Sequence, residues 1–129
     1  MIHEEICTYE VCKLAKKKGF NVPTHYAYNE NRQKAMYMEL CLNRNTKDSR
    51  SISAPTQSLL QRWLREEKGI VVEVMCLPTT RTGSKYEYKR HLFWGSDGHY
   101  LVGEYGDEIF DTYELALEDA LKYALENLV

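Results

Sequence analysis

Apolar side chains recur along this chain with two spacings, one typical of an amphipathic helix and one typical of a half-buried strand. Helical spacing predicts three helices, over residues 4–18, 55–68 and 111–127. Alternation of apolar and polar residues, or a short apolar run, predicts strands over residues 24–28, 35–42, 70–77, 85–94 and 100–105. The predicted element order is therefore α-β-β-α-β-β-β-α.

Short polar connections separate the strands, so we expect antiparallel pairing. Residues 29–33 and 95–98 have the composition of hairpin turns, and such turns can join antiparallel neighbours but not parallel ones. The amphipathic helices need a sheet face to cover. We therefore predict a single α+β domain over residues 1–129, a two-layer sandwich with one antiparallel sheet of four or five strands and the helices packed on one face. The opposite face would then meet solvent or a partner.

Two further segments have a distinctive composition. Residues 43–52 contain a single apolar side chain and are predicted to form a loop. Residues 70–77 are apolar on both faces apart from Glu73, which predicts a central strand.

Local signals also mark where two of the helices begin. Ser53 or Ala54 is the predicted cap of the second helix, with Pro55 in its first turn. The last helix is predicted to start with a capping box over residues 111–114, and Phe110 would act as its hydrophobic staple.

Composition and charge narrow the class of protein. The chain has 129 residues, of which 43% are hydrophobic and 28% are charged, with a formal net charge of −2. No apolar run approaches the roughly 20 residues that cross a bilayer, and residues 1–5 lack the pattern of an export signal. We therefore expect a cytoplasmic protein without membrane contact. The four cysteines form no Cys-x-x-Cys pair, which favours free thiols, and Cys7 and Cys76 are expected in the core.

Ten tyrosines are the main compositional anomaly. Tyrosine combines an apolar ring with a polar tip, which suits a binding surface. We therefore predict a non-enzymatic binding or accessory protein that acts through an exposed sheet face, with an unknown protein or a second copy of the chain, as a homodimer, for partner. The alternative is that the rings complete the rim of a thin core. The candidate residues are Tyr26, Tyr28, Tyr37, Tyr86 and Tyr88.

A basic and aromatic stretch supports a second hypothesis, the binding of single-stranded nucleic acid. Cations would neutralise phosphates and rings would stack on unpaired bases. The negative net charge and the absence of a recognisable motif argue against it, and alternation places neighbouring cations on opposite strand faces. The candidate residues are Arg81, Lys85, Lys89 and Arg90.

The chemistry expected of an enzyme is sparse, so a hydrolase with an unrecognised site is the third hypothesis. The histidines at 3, 25, 91 and 99 are scattered, and none has the spacing of a metal site. We expect no cofactor and no metal. Four carboxylates between residues 104 and 111 could hold a hard cation, or could simply favour the start of the last helix. A hydrolase would require a histidine beside a cysteine, serine or carboxylate in a pocket.

Two stretches of the sequence carry a resemblance to other proteins. They are Ser53–Thr56 with Trp63–Glu66 and Ile70–Val74, and then Phe110–Leu117 with Ala120 and Leu121. Over residues 53–128 the chain resembles an uncharacterised family of small hypothetical proteins from prophages and other mobile elements of gut anaerobes. The resemblance implies a compact α+β domain and a mobile-element context. It implies no activity and no site residues.

Overall fold

The computed structural model describes residues 2–78, 86–96 and 100–129. In these residues three α-helices alternate with two groups of three β-strands. The helices are α1 (Tyr9–Lys17), α2 (Gln57–Lys68) and α3 (Tyr113–Asn127). The strands are β1 (Thr24–Asn29), β2 (Arg32–Leu42), β3 (Ser51–Ser53), β4 (Ile70–Pro78), β5 (Tyr86–Ser96) and β6 (Tyr100–Tyr105). No helix in this part of the chain is both long and apolar enough to cross a membrane.

The strands form two antiparallel sheets of three strands each, in the orders β2-β1-β3 and β4-β5-β6. The prediction of an α+β fold is confirmed, and every strand pair is antiparallel as expected. The single sheet of four or five strands is not confirmed, because the strands before and after α2 pair only within their own group. The observed order is α-β-β-β-α-β-β-β-α.

The additional strand, β3, lies in the segment that the sequence predicts to be a loop. Its pairing with β1 places Tyr28 opposite Ile52, and Ile52 is buried. Lys16 of α1 donates hydrogen bonds to the carbonyls of Ser49 and Ser51, at 3.0 and 3.1 Å. A strand of three residues with one apolar side chain is too short to show alternation, so the sequence pattern cannot reveal it.

β4 forms an edge of the second sheet and β5 is its central strand, which corrects the prediction that residues 70–77 form a central strand. The helices cover only one face of this sheet, where Ile70 and Val72 of β4 are buried. Val71 and Met75 point to the other face and are only partly buried. In the described residues no helix packs on that other face, so the apolar residues on both sides of β4 do not reflect two layers of helices.

Each of the three described helices begins at a threonine cap whose hydroxyl accepts a hydrogen bond from the N–H three residues later. The pairs are Thr8 with Val11, Thr56 with Leu59 and Thr112 with Leu115, at 3.4, 3.1 and 3.1 Å. The predicted start of the first helix at residue 4, the cap at Ser53 or Ala54, and the capping box over residues 111–114 are therefore corrected. With the cap at Thr112, Phe110 lies two residues before it and not directly before it as a hydrophobic staple does, and its backbone pairs with Tyr88.

A single cluster of buried apolar side chains contacts all three helices and both sheets. Within it, the rings of Phe20 and Trp63 meet edge to face, with centroids 5.4 Å apart. Burying one large apolar side chain contributes about 1.5–3 kcal/mol, so this shared core is what joins the two sheets. Its largest fully buried members include Phe20, Leu60, Leu64, Ile70, Leu92, Leu121 and Leu125.

The segment before α1 is extended and pairs with the segment before α2. The backbone N–H of Cys7 donates to Pro55 O at 3.0 Å, and that of Gln57 donates to Glu5 O at 2.9 Å. Glu118 of α3 reinforces the pair, because one of its oxygens accepts from the N–H and the hydroxyl of Thr8, both at 3.0 Å, and the other accepts from the Gln57 side chain at 3.0 Å. We call Thr8, Gln57 and Glu118 the Glu118 junction.

Four cysteines are free, and two of them are buried. Cys7 lies in the core as predicted, together with Cys12. Cys76 is exposed, which corrects its predicted burial, because the end of β4 extends past the helices.

Tyr28 is buried beside Cys7. The Tyr28 hydroxyl donates to Cys7 O at 2.7 Å, and only 7% of Tyr28 is exposed.

We expect Glu118→Gln to lower the free energy of unfolding by about 1–2 kcal/mol, measured by urea denaturation. An amide keeps one acceptor oxygen, so its NH₂ group must face either the donors of Thr8 or the donor of Gln57. The matched control is Glu126→Gln on the same helix, an exposed carboxylate 3.9 Å from Lys122, which we expect to cost less than about 0.5 kcal/mol. Equal losses for the two variants would contradict the junction.

Burial raises the pKa of Tyr28 from 10.0 to about 12. The unfolded chain releases the phenol proton near pH 10 and the folded protein only near pH 12. The free energy of unfolding therefore has its full Tyr28 contribution below pH 10 and loses it as the pH rises to 12. We expect the stability advantage of the wild type over Tyr28→Phe to shrink by about 1–3 kcal/mol across this interval. A stability advantage that stays constant from pH 9 to 12 in urea titrations would refute the raised pKa of Tyr28.

Candidate binding groove

A groove of about 690 Å³ opens between the first sheet and α2, and we call it the α2 groove. One wall comes from β1 and β2 and the other from the exposed side of α2. Small-molecule sites in proteins range from about 300 to 1,000 Å³, so the groove has the size of a ligand site. The side chains that line it include His25, Tyr26, Tyr37, Ser58, Arg62 and Arg65.

The sheet wall contains an irregularity in β2. The pairing steps from Thr24 opposite Leu42 to Tyr26 opposite Tyr37, so two steps along β1 match five along β2. Side chains satisfy the displaced carbonyls: His25 Nδ1–H donates to Met38 O at 3.1 Å, and Arg44 donates to the carbonyls of Leu40 and Leu42 at 2.9 and 3.4 Å. Bulges of this kind redirect side chains and are common beside functional sites.

Three aromatic rings line the sheet wall. His25 stacks on Tyr37 with an interplanar angle of 15° and a centroid distance of 5.6 Å. Tyr26 meets Tyr37 edge to face at 5.5 Å. Tyr37 is 62% exposed, whereas Tyr26 packs partly against the core. The wall therefore presents an open tyrosine ring that its neighbours hold in place.

The helix wall is polar because the groove receives the side of α2 opposite to its core stripe. Its polar residues, 58, 61, 62 and 65, have the spacing i, i+3, i+4, i+7 of one helix face, and Leu59 lines the groove beside them. Ser58 donates to Glu4 at 2.9 Å, and Arg62 pairs with Glu66 at 3.0 Å. Arg65 has no ion pair or hydrogen bond with any residue that the structure describes. A cation available for a ligand thus lies on this wall.

The arrangement supplies binding chemistry, namely open rings, hydrogen-bonding side chains and a cation. Cys41 and His25 both line the groove, but His25 uses Nδ1–H on the Met38 carbonyl. In the described residues no histidine hydrogen-bonds to a cysteine, serine or carboxylate. His91 Nδ1 lies 3.9 Å from a carboxylate oxygen of Glu73, but both residues are outside the groove lining, and the hydrolase hypothesis stays a prediction. The same residues contain no group of three or more His, Cys, Asp or Glu that could hold a metal ion.

The five predicted tyrosines do not share one sheet face. Tyr26 and Tyr37 lie in the α2 groove, and Tyr28, the next residue but one to Tyr26, is buried in the core. Tyr86 and Tyr88 belong to the second sheet, where alternation places them on the helix-facing side of β5 with Leu92. There Tyr88 meets Tyr113 edge to face at 6.2 Å. The predicted common face is corrected because the strands divide between two sheets; a binding role for these residues stays a prediction.

The basic stretch predicted to bind nucleic acid is also divided. Arg81 and Lys85 lie outside the described residues. Arg90 pairs with Asp119 of α3 at 2.9 Å and lies over the Tyr123 ring at 4.2 Å. Lys89 points to the opposite side of β5 and is partly buried. The Arg90 guanidinium therefore already has partners on α3. The nucleic-acid hypothesis stays a prediction.

Two more surfaces of the described residues lie outside the groove. On the open face of the second sheet, His91 stacks on Tyr105 at 4.1 Å and 8°, and the Phe93 ring lies against Gly103, where a Cβ would approach it to 3.2 Å. On β2, an apolar stripe remains exposed at the edge of its sheet; its members are Met36, Met38, Leu40 and Leu42. The predicted protein partner and homodimer stay predictions.

The polar wall of α2 was missed as well, although the sequence contains its signal. The apolar stripe of that helix marks its buried side, and the spacing i, i+3, i+4, i+7 of residues 58, 61, 62 and 65 marks a polar side opposite to it. The irregularity in β2 has no such signal, because it depends on where β1 pairs.

The chain was compared with family models, curated proteins and solved structures, and none of the three comparisons finds a match. The resemblance to proteins of prophages and mobile elements stays a prediction.

Proposed function

We propose that this protein is a non-enzymatic binding protein and that it holds its ligand in the α2 groove. The observation that carries the proposal is the meeting of an open aromatic wall with a polar, cationic wall across a space of about 690 Å³. The accessory role in a phage or mobile element belongs to the same proposal and rests on the sequence resemblance alone.

The aromatic wall supports binding because it is both exposed and held in place. Contacts with His25 and Tyr26 restrict the Tyr37 ring, so a ligand loses little additional side-chain entropy by packing on it. Arg44 and His25 fix the β2 backbone beneath these rings through hydrogen bonds to its carbonyls. The wall is therefore formed before any ligand arrives.

The rest of the surface offers a weaker alternative site. The open face of the second sheet carries Tyr105, Phe93 and His91, yet Tyr105 and His91 already stack on one another, with ring centroids 4.1 Å apart. That face carries the partly buried Lys89 as a cation, but no described helix lines it and it forms no groove with one. The groove combines the exposed ring of Tyr37, the cation of Arg65 and a concave shape, and this combination favours the groove as the binding site.

The proposal predicts that neutral aromatic fragments bind the groove. In ¹H–¹⁵N correlation spectra titrated with phenol and with indole, we expect the largest amide shifts in residues 24–26, 37–41 and 58–65. Tyr37→Ala should weaken both fragments at least about tenfold, because it removes the exposed ring.

The matched control is Tyr105→Ala, which removes a tyrosine of similar exposure, 58% against 62%, from the other sheet. This variant should bind both fragments as the wild type does. Shifts centred on β4, β5 and β6, no saturable shifts at all, or equal losses in the two variants would each overturn the proposal.

A further inference from the structure

We infer that the ligand of the α2 groove is a planar ring compound with an anionic group, either a phosphate or a carboxylate, whose ring packs on Tyr37 and whose anion pairs with Arg65. This inference rests on the proposed function and adds the chemical class of the ligand. It depends on one exposed ring, that of Tyr37, and one unpaired guanidinium, that of Arg65, which line the same groove.

The charges of the groove favour an anion. Glu4, Arg62 and Arg65 are the formally charged residues in its lining. Glu4 accepts the Ser58 hydroxyl, and Arg62 is paired with Glu66 of the same helix. Arg65 is left as the charge without a partner among the described residues. A guanidinium presents a planar fork of donors that matches phosphate and carboxylate oxygens, so it recognises both.

A second guanidinium strengthens the site. Arg62 precedes Arg65 by three residues, so both lie on one face of α2 and line the groove together. Its partner Glu66 is exposed, with about half of that side chain accessible, and exposed ion pairs of this kind are weak. An anion held by Arg65 can therefore also gain from the field of Arg62.

The aromatic wall favours a planar ring on the same ligand. His25 covers one region of Tyr37 as a nearly parallel stack, which is the geometry that a further flat ring would adopt. The volume of about 690 Å³ accommodates a fused ring and an anionic group together. A bare anion would leave the aromatic wall unused, and a neutral ring would leave Arg65 unpaired.

Two matched pairs of probes separate these components. Adenosine 5′-monophosphate with adenosine tests the phosphate form, and indole-3-acetate with indole-3-acetamide tests the carboxylate form. In at least one pair we expect the anion to bind about tenfold more tightly than its neutral analogue. Inorganic phosphate should bind more weakly than the anionic ring compound. Raising the NaCl concentration from about 50 to about 500 mM should weaken the binding of the anion and leave that of its neutral analogue unchanged.

The variant Arg65→Gln should remove this preference, lowering the affinity for the anion about tenfold and leaving the neutral analogue unchanged. The control Arg50→Gln makes the same change of charge at an exposed arginine outside the groove and should preserve the preference. Equal affinities of anion and neutral analogue in both pairs, or equal losses in the two variants, would overturn the inference.

The test distinguishes this inference from the proposed function. Binding of phenol and indole in the groove without any preference for anions would refute the ligand class and leave the binding function intact. Failure of every probe, neutral and anionic, would refute both. Binding of inorganic phosphate as tight as that of the ring compounds would refute the role of the ring.

Discussion

The Glu118 junction is the interaction on which the arrangement of the elements depends. One carboxylate accepts from the cap of α1 and from the first turn of α2, while the backbones of residues 5–7 and 55–57 pair beside it. Hydrogen bonds to a charged acceptor are roughly twice as strong as those between neutral groups. The junction therefore ties three helices at the point where α2 begins, and the position of α2 relative to the first sheet determines the width of the groove.

The groove lies where regular pairing in the first sheet ends. β2 carries more residues than β1 over the same interval, so part of its backbone must find partners outside the ladder, and the side chains of His25 and Arg44 provide them. This local exchange of backbone pairing for side-chain pairing turns Tyr37 outward beside His25. The polar face of α2 lies opposite Tyr37. The groove therefore forms between the irregularly paired part of β2 and the polar face of α2.

The local pattern of the sequence could predict the helices and most strands, because periodicity reports burial directly. The strands of 24–29, 70–78 and 100–105 fall within a residue of their predicted bounds. The division of the strands between two sheets could not be predicted, because strand pairing joins residues that are distant in the sequence. β3 could not be predicted either, because it is too short to show alternation. The same limit explains the tyrosines: alternation places Tyr26 and Tyr28 on one face, yet the irregular pairing and the core position of Cys7 bury Tyr28 and leave Tyr26 at the groove.

Hydrogen exchange of the backbone amides of Cys7 and Gln57 tests the central claim most directly, because these two amides donate the backbone hydrogen bonds beside the Glu118 junction. The account predicts that both exchange only by global unfolding, with the same free energy of opening as Leu121 in the core of α3, while Asn31 in the hairpin turn exchanges quickly. Rapid exchange of Cys7 and Gln57 beside a protected Leu121 would contradict it, since α2 would then be held by the core alone.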